Sequence, residues 1–336
     1  MTKLSIKSDF AFKEPITGIK LHDLTGDGQD NLIVCTVEGN LRAYNFIDGK
    51  TIKLEEVARS DELKPVAAFG IGDIDGDGTP NIVVGGLDNK LRVLRFDEDS
   101  LIVEDCTPLG SLPTSLIVTN VMADDKKEVI VSTNDKALRC YGWFGGCLDK
   151  LAHKVVERPI FSMEALNSKG ISYSRFVFGD DTGHVYIYKY QDDRLHEVSR
   201  VQIKGEVTLV SCGNITGGKV DEIMGISDER DITLISAASK PLSVLAKIHA
   251  PGKITSLQAG TFYDGSRSAG QMLVSQGNSK ISILSYEGVQ IYEDATIQTA
   301  KKSVESQIAF GDTNGNGQID IVQSVGNSIY LLTVET

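Results

Sequence analysis

The chain has 336 residues, 41% of them hydrophobic, with 33 glycines, 8 prolines and a formal charge of −12. That composition can build a packed core and excludes an intrinsically disordered chain. The acidic balance, with no run of Lys and Arg, excludes a nucleic-acid groove and an anionic-membrane patch as the basis of function.

In chain order, residues 3–12 alternate apolar and polar as a strand does and lack the apolar stretch of a signal peptide. No later run approaches the roughly 20 apolar residues of a helical membrane span. A six-residue strand then recurs at 41–46 (LRAYNF), 91–96 (LRVLRF), 138–143 (LRCYGW), 185–190 (VYIYKY), 232–237 (ITLISA), 281–286 (ISILSY) and 329–334 (IYLLTV). The period is about 48 residues, in the range of repeat architectures. A shorter apolar run precedes each copy, at 32–34, 82–84, 129–131, 176–178, 223–224, 272–274 and 321–322. Each unit opens on an apolar stretch ending at Gly or Asn, as in residues 67–73 and 307–312, and closes on a more polar strand such as 51–57 or 195–201.

Four short strands per unit, glycines at the joints and no helical periodicity predict an all-β fold, a seven-bladed β-propeller of four-stranded blades. It is expected to be a single domain over 1–336, with blades at approximately 15–60, 61–108, 109–156, 157–203, 204–250, 251–298 and 299–336. After residue 334 too little chain remains for a fourth strand. The segment 3–12 is therefore expected to pair with the last blade and close the ring, removing two open sheet edges.

Three blades carry a glycine-rich loop of oxygen side chains between their first and second strands. Blade one has Asp23, Thr25, Asp27, Gln29 and Asn31 at alternate positions, and blade two has Asp73, Asp75, Asp77, Thr79 and Asn81. Blade seven has Asp312, Asn314, Asn316, Gln318 and Asp320. Hard oxygen ligands spaced around glycine turns suit Ca2+. An EF-hand is excluded, because its twelfth position needs a bidentate Glu and these loops offer Val34, Val84 and Gln323 there. Side chains at positions one, three, five and nine, and the carbonyl at position seven, are the expected donors. The alternative is that Asp and Asn merely bond their own backbone while Gly takes positive φ.

With Phe69-Gly70 and Phe310-Gly311 just ahead of two of the loops, the constellation resembles the FG-GAP repeat of integrin-α-type propellers. The resemblance implies calcium in the loops of blades one, two and seven and a platform for other proteins. The family's usual Asp at position nine is Asn in blades one and two, so blade two has three carboxylates and the others two each. The pattern decays through Asn214, Thr216 and Glu222 and through Asn120, Asp124 and Glu128, and no metal is expected in blades three to six.

Residues 213–219 spell most of a phosphate-binding loop, but Val220 stands where Ser or Thr would hold magnesium and a strand follows. Asn214 to Thr216 is a glycosylation sequon, relevant only to a secreted chain. The histidines are scattered, and the five cysteines include no C-x-x-C pair. Arg42, Arg92 and Arg139 recur at one strand position and are expected to form ion pairs between blades. The recurring aromatics Tyr44, Phe46, Phe96, Tyr141, Trp143, Tyr188 and Tyr190 are expected to pack between neighbouring blades. Residues 143–146 (WFGG) could expose an apolar anchor.

These features predict a non-catalytic protein-interaction scaffold, cytoplasmic, monomeric by itself, with other proteins as partners and neither nucleic acid nor membrane insertion. The resemblance is nearer to intracellular scaffold propellers than to integrins. Two alternatives stand beside it: a propeller lyase or hydrolase with its site at the central channel, and a secreted carbohydrate-binding propeller.

Overall fold

The computed structural model describes residues 2–61, 63–263, 266, 268–300 and 306–335, and residues 301–305 of the last expected blade lie outside them. Among the described residues there are 28 strands and no helix. They fall into units of four antiparallel strands. The first strand of each unit is β2 (Ile16–His22), β6 (Val66–Gly72), β10 (Pro113–Thr119), β14 (Met163–Leu166), β18 (Val207–Gly213), β22 (Ile254–Gly260) or β26 (Ser306–Gly311). The second strands are β3 (Asn31–Thr36), β7 (Asn81–Gly86), β11 (Glu128–Thr133), β15 (Arg175–Gly179), β19 (Glu222–Ser227), β23 (Gln271–Gln276) and β27 (Asp320–Val325). The third are β4 (Leu41–Ile47), β8 (Lys90–Asp97), β12 (Ala137–Phe144), β16 (His184–Gln191), β20 (Asp231–Ser236), β24 (Lys280–Glu287) and β28 (Ser328–Glu335), each covering a predicted repeat strand apart from Ala237 at the end of the fifth. The outer strands are β5 (Lys53–Ser60), β9 (Ser100–Pro108), β13 (Cys147–Val155), β17 (Arg194–Gln202), β21 (Ser243–His249), β25 (Gln290–Gln298) and β1 (Lys3–Ala11).

Five sheets have four strands, and the sheets of the first two units join into one of eight through a single parallel bridge between Arg59 and Ser100. Neighbouring first strands pack in a closed circuit, β2 to β6 to β10 to β14 to β18 to β22 to β26 and back to β2. The strand count is consistent with seven blades.

Burial explains the sequence pattern. Both faces of each second strand are covered by adjacent units, so six of the seven are buried at every residue and read as apolar runs without alternation. The outer strands alternate because one face meets solvent. Seven buried clusters each lie between consecutive units. Tyr188 packs with Ile130 and Leu138 of the preceding unit, Trp143 against Val83 and Leu91, and Tyr44 and Phe46 with Val322 and Leu331. The expected inter-blade packing of the aromatics is what the structure shows. Gly70 follows from the same packing, because a Cβ there would come within 2.8 Å of Leu116 and Val118 on the next inner strand.

The N-terminal strand β1 pairs antiparallel with β28 as expected. It also carries a bulge shared by all the outer strands. Lys7 is skipped in the register of β1, just as Val57, Glu104, Leu151, Val198, Leu245 and Asp294 are skipped in the other outer strands. By register as well as position, β1 is the fourth strand of the last unit.

Candidate functional site

The loops between first and second strands lie at one end of the units and share one internal design. In the second unit, the Asp73 carboxylate accepts N–H bonds from Gly76 (2.7 Å) and Gly78 (3.0 Å), wrapping the loop around itself. Gly76 and Gly78 have φ of 80° and 90°, the left-handed region that a side chain would resist. Asp77 accepts from the Thr79 amide at 2.7 Å and its hydroxyl at 2.6 Å, and Asp75 accepts from the Asp77 amide at 3.4 Å. Asp23 receives Gly26 and Gly28 in the same way, and Asp312 receives Asn316 and Gly317. Asp27 and Asn316 accept the amides of Gln29 and Gln318.

All fifteen predicted residues lie in these three loops or at the first residue of the strand that follows, but only one loop gathers three carboxylates. Asp73, Asp75 and Asp77 each offer an oxygen within 4.8 Å of the other two, the one such cluster among the described residues. Burial, with repulsion from Asp77 and Asp73, raises the Asp75 pKa, whereas the hydrogen bonds from Thr79 lower that of Asp77. In the first loop Thr25 donates to Asp23 at 3.5 Å. In the seventh, Asn314 donates to Asp48 of the first unit (3.1 Å), and Asp320 accepts Thr313 Oγ1 (2.5 Å) and Lys7 Nζ (2.8 Å).

Position nine has a role that sequence reasoning missed. Asn81 Oδ1 accepts the Ile74 amide (3.1 Å) and Asn31 Oδ1 the Leu24 amide (2.7 Å). Glu128, Glu222 and Gln271 accept the equivalent amides of Val121, Ile215 and Phe262. In these five loops the side chain is a buried clamp on the loop backbone, a role that Asn, Glu and Gln all fill, whereas Asp320 of the seventh loop bonds the Thr313 hydroxyl instead. Burial is the main reason the Glu128 pKa is raised, to about 7, against the two loop amides that hydrogen-bond it.

A second recurring feature links units. The amides of Asp30, Lys127, Ser174 and Asp221, all at position eight, donate to the carbonyls of Asp312, Asp73, Asn120 and Asn167 at position one of the preceding loop. Pro80 has no amide to give at that position. Nothing in the residue types signals this bond, since it uses backbone only.

In the third and fourth units the same loops present apolar side chains. Met122, Ile171 and Tyr173 are 39%, 48% and 38% exposed and occupy positions three, five and seven, where the acidic loops carry oxygen-bearing side chains. Ser174 ties these two loops together, and a bridge between Ser168 and Val220 ties the fourth to the fifth. By contrast, Trp143 packs in the joint between the second and third units, and of the two aromatic side chains in the WFGG segment only Phe144 is largely exposed.

The expectation for the three arginines is corrected. Arg92 pairs with Asp88 and Arg139 with Asp135, each at 2.6 Å and each across the turn within its own unit. Arg42 meets Glu56 of its own outer strand at 3.2 Å. Residues 213–219 run from β18 into an extended bridge and then β19, without the helix a phosphate cradle requires.

Where the first strands converge, a cavity of about 330 Å³ is lined by Lys20, His22, Glu164, Ser211, Cys212 and Gln258 together with apolar residues. Burial, followed by Lys127, lowers the His22 pKa, and burial raises that of Glu164. Of the His, Asp, Glu and Tyr side chains, His22 and Glu164 line it.

No family model matches the sequence, and no curated protein does. Solved structures do. The chain is similar to BBS1N in complex with ARL6DN soaked with mercury, at TM-score 0.71 and 11% identity over 99% of this chain and 97% of that one. It is equally similar to the complex soaked with lead, at TM-score 0.72 and 11% identity over 98% and 96%. The fold is a β-propeller. At that identity the likeness carries the fold and nothing finer. No helix among the described residues is long and apolar enough to cross a membrane.

Proposed function

We propose that this propeller is a seven-bladed, FG-GAP-type interaction scaffold that binds another protein through its loop face and does not catalyse a reaction. The observation that carries the reading is the exposed group Met122, Ile171 and Tyr173, set on the same loop system as the acidic turns. Apolar side chains exposed together and rimmed by polar residues mark interaction surfaces. The similar solved propeller, BBS1N, was itself determined in a complex with ARL6DN, which supports a protein as partner. The channel gathers two His, Asp, Glu or Tyr side chains, His22 and Glu164, rather than three or more, which gives the enzyme reading little to work with. The cysteines, all free, suit a cytosolic setting.

The residues of the second loop also fit a calcium ion. Asp73, Asp75 and Asp77 would hold it, with Thr79 adding an oxygen, and the ion would neutralise three mutually repelling carboxylates and stiffen the loop. The other two expected calcium loops fit less well. Each has two carboxylates, and in the seventh Asp320 is already neutralised by Lys7. We therefore place one ion, in blade two.

Two variants test the two halves. Ile171→Asp with Tyr173→Asp is expected to abolish partner capture from the native source at an unchanged melting temperature; retained capture would contradict the scaffold face. Calcium at a hundredfold excess over Kd is expected to stabilise the wild type by about 2.7 kcal/mol. The stabilisation should vanish in Asp75→Ala/Asp77→Ala, and identical melts in calcium and in chelator would remove the ion.

A further inference from the structure

Apart from the loop face, the joint between the last and first units holds a cleft of about 700 Å³. One wall is the end of β1, with Phe10, and Phe12 just beyond it; the other is Tyr44 of β4 with Ile52 and Leu54. Phe10 stands edge-on to Phe46 at 6.0 Å and Phe12 to Tyr44 at 5.6 Å, so the walls are braced aromatic surfaces. The residues from Phe12 to Ile16 cross from the outer strand of one unit to the inner strand of the next. Hydrogen bonds from the Phe12 amide to the Asn327 carbonyl and from the Ile16 amide to the Gly326 carbonyl pin them in place.

Two other joints hold clefts of a different character. Between the third and fourth units a cleft of about 240 Å³ is capped by Lys154 over Tyr188 and Arg200 over Tyr186. Between the first and second units a cleft of about 710 Å³ is lined by charges, and Arg59 there pairs with Glu56 and Asp61 beside the strand bridge. In the joint of the last and first units, Arg42 is paired with Glu56 and Asp61, and Glu14 is held by Thr36 and Asn40. Lys13 and Lys53, one beside each wall, form no ion pair among the described residues.

We propose that this cleft binds an extended segment of a partner protein in which bulky apolar side chains alternate with carboxylates. The walls present their own apolar groups two residues apart, Phe10 with Phe12 and Ile52 with Leu54, and an extended chain offers side chains at the same spacing. The unpaired lysines supply the charge that carboxylates complement, on a molecule whose net charge of −12 otherwise repels acidic chains. The proposal rests on the scaffold reading for the class of partner and not for the place of binding.

The test is fluorescence anisotropy of the whole chain with a fluorescein-labelled synthetic peptide of alternating aspartate and leucine. Saturable binding is expected, weakened about tenfold or more by Lys13→Glu/Lys53→Glu, two exposed substitutions that leave the melting temperature in place. Hydrogen exchange should slow in β1 and β4 on peptide addition. Ile171→Asp/Tyr173→Asp should leave the affinity unchanged, which separates this cleft from the loop face. The proposal is overturned by no saturable binding, by equal affinity of the lysine variants, by equal binding of a peptide with lysine in place of aspartate, or by protection confined to the loop face.

Discussion

Asn81 stands where three other loops place Glu128, Glu222 and Gln271, and all four spend a side-chain oxygen on the amide at the second loop position. The sequence shows a carboxylate or amide there, which reads as a ligand, whereas the clamp needs the folded loop to be seen. An aspartate at Asn81 would keep the clamp and add a fourth carboxylate to the cluster. Asn81→Asp is therefore expected to melt above wild type in calcium and below it in chelator, because an added buried charge costs stability unless a cation meets it. A shift of the same sign in both buffers would contradict the metal assignment.

The Glu128 carboxyl has a folded pKa of about 7 against its ordinary 4.5. Between those values the native state holds the proton more tightly than the unfolded chain, so stability from this group is largest below pH 4.5 and declines as pH rises through 7. The shift from 4.5 to about 7 corresponds to about 3 kcal/mol of linkage. Glu128→Gln keeps the acceptor, as Gln271 does naturally at the same position. It should remove that decline between pH 5 and 8, and the difference between the two proteins cancels the opposite contribution of His22, whose pKa is lowered. Parallel stability profiles would contradict the assignment.

Among the elements, the third strands were the most legible, since each is an apolar run with a fixed period, and β1 was legible because the last unit lacked a fourth strand. The shared bulge was not, because it depends on register and not on residue type. Nor were the arginine pairs anticipated, although Asp88 and Arg92, like Asp135 and Arg139, stand four apart across a tight turn. The bulge places Lys7 on Asp320, whose side chain is 3% exposed, so the closing strand is latched by charge as well as by its ladder. Lys7 itself is 30% exposed, so Lys7→Met should cost about 2 kcal/mol, below the cost of orphaning a fully buried pair. Deleting residues 1–13 removes the ladder and the core residue Leu4 together, and a larger fall in melting temperature is expected. An unchanged melting temperature in the deletion would show that the ring does not depend on this strand.

Across the whole molecule, the repeat made the architecture readable, because each unit must bury both faces of its second strand against neighbours. The acidic loops were readable from their glycines and carboxylates. The apolar group was not, since Met122 is far in sequence from Ile171 and Tyr173 and the three meet no periodic pattern; only the shared loop design sets them on one face. That face is the proposed working surface of the protein. Its most direct test is quantitative affinity purification from the native source with wild type and with Ile171→Asp/Tyr173→Asp, matched for melting temperature. The prediction is a defined set of proteins retained by the wild type and lost from the variant; the same proteins recovered in equal amounts with both would contradict it.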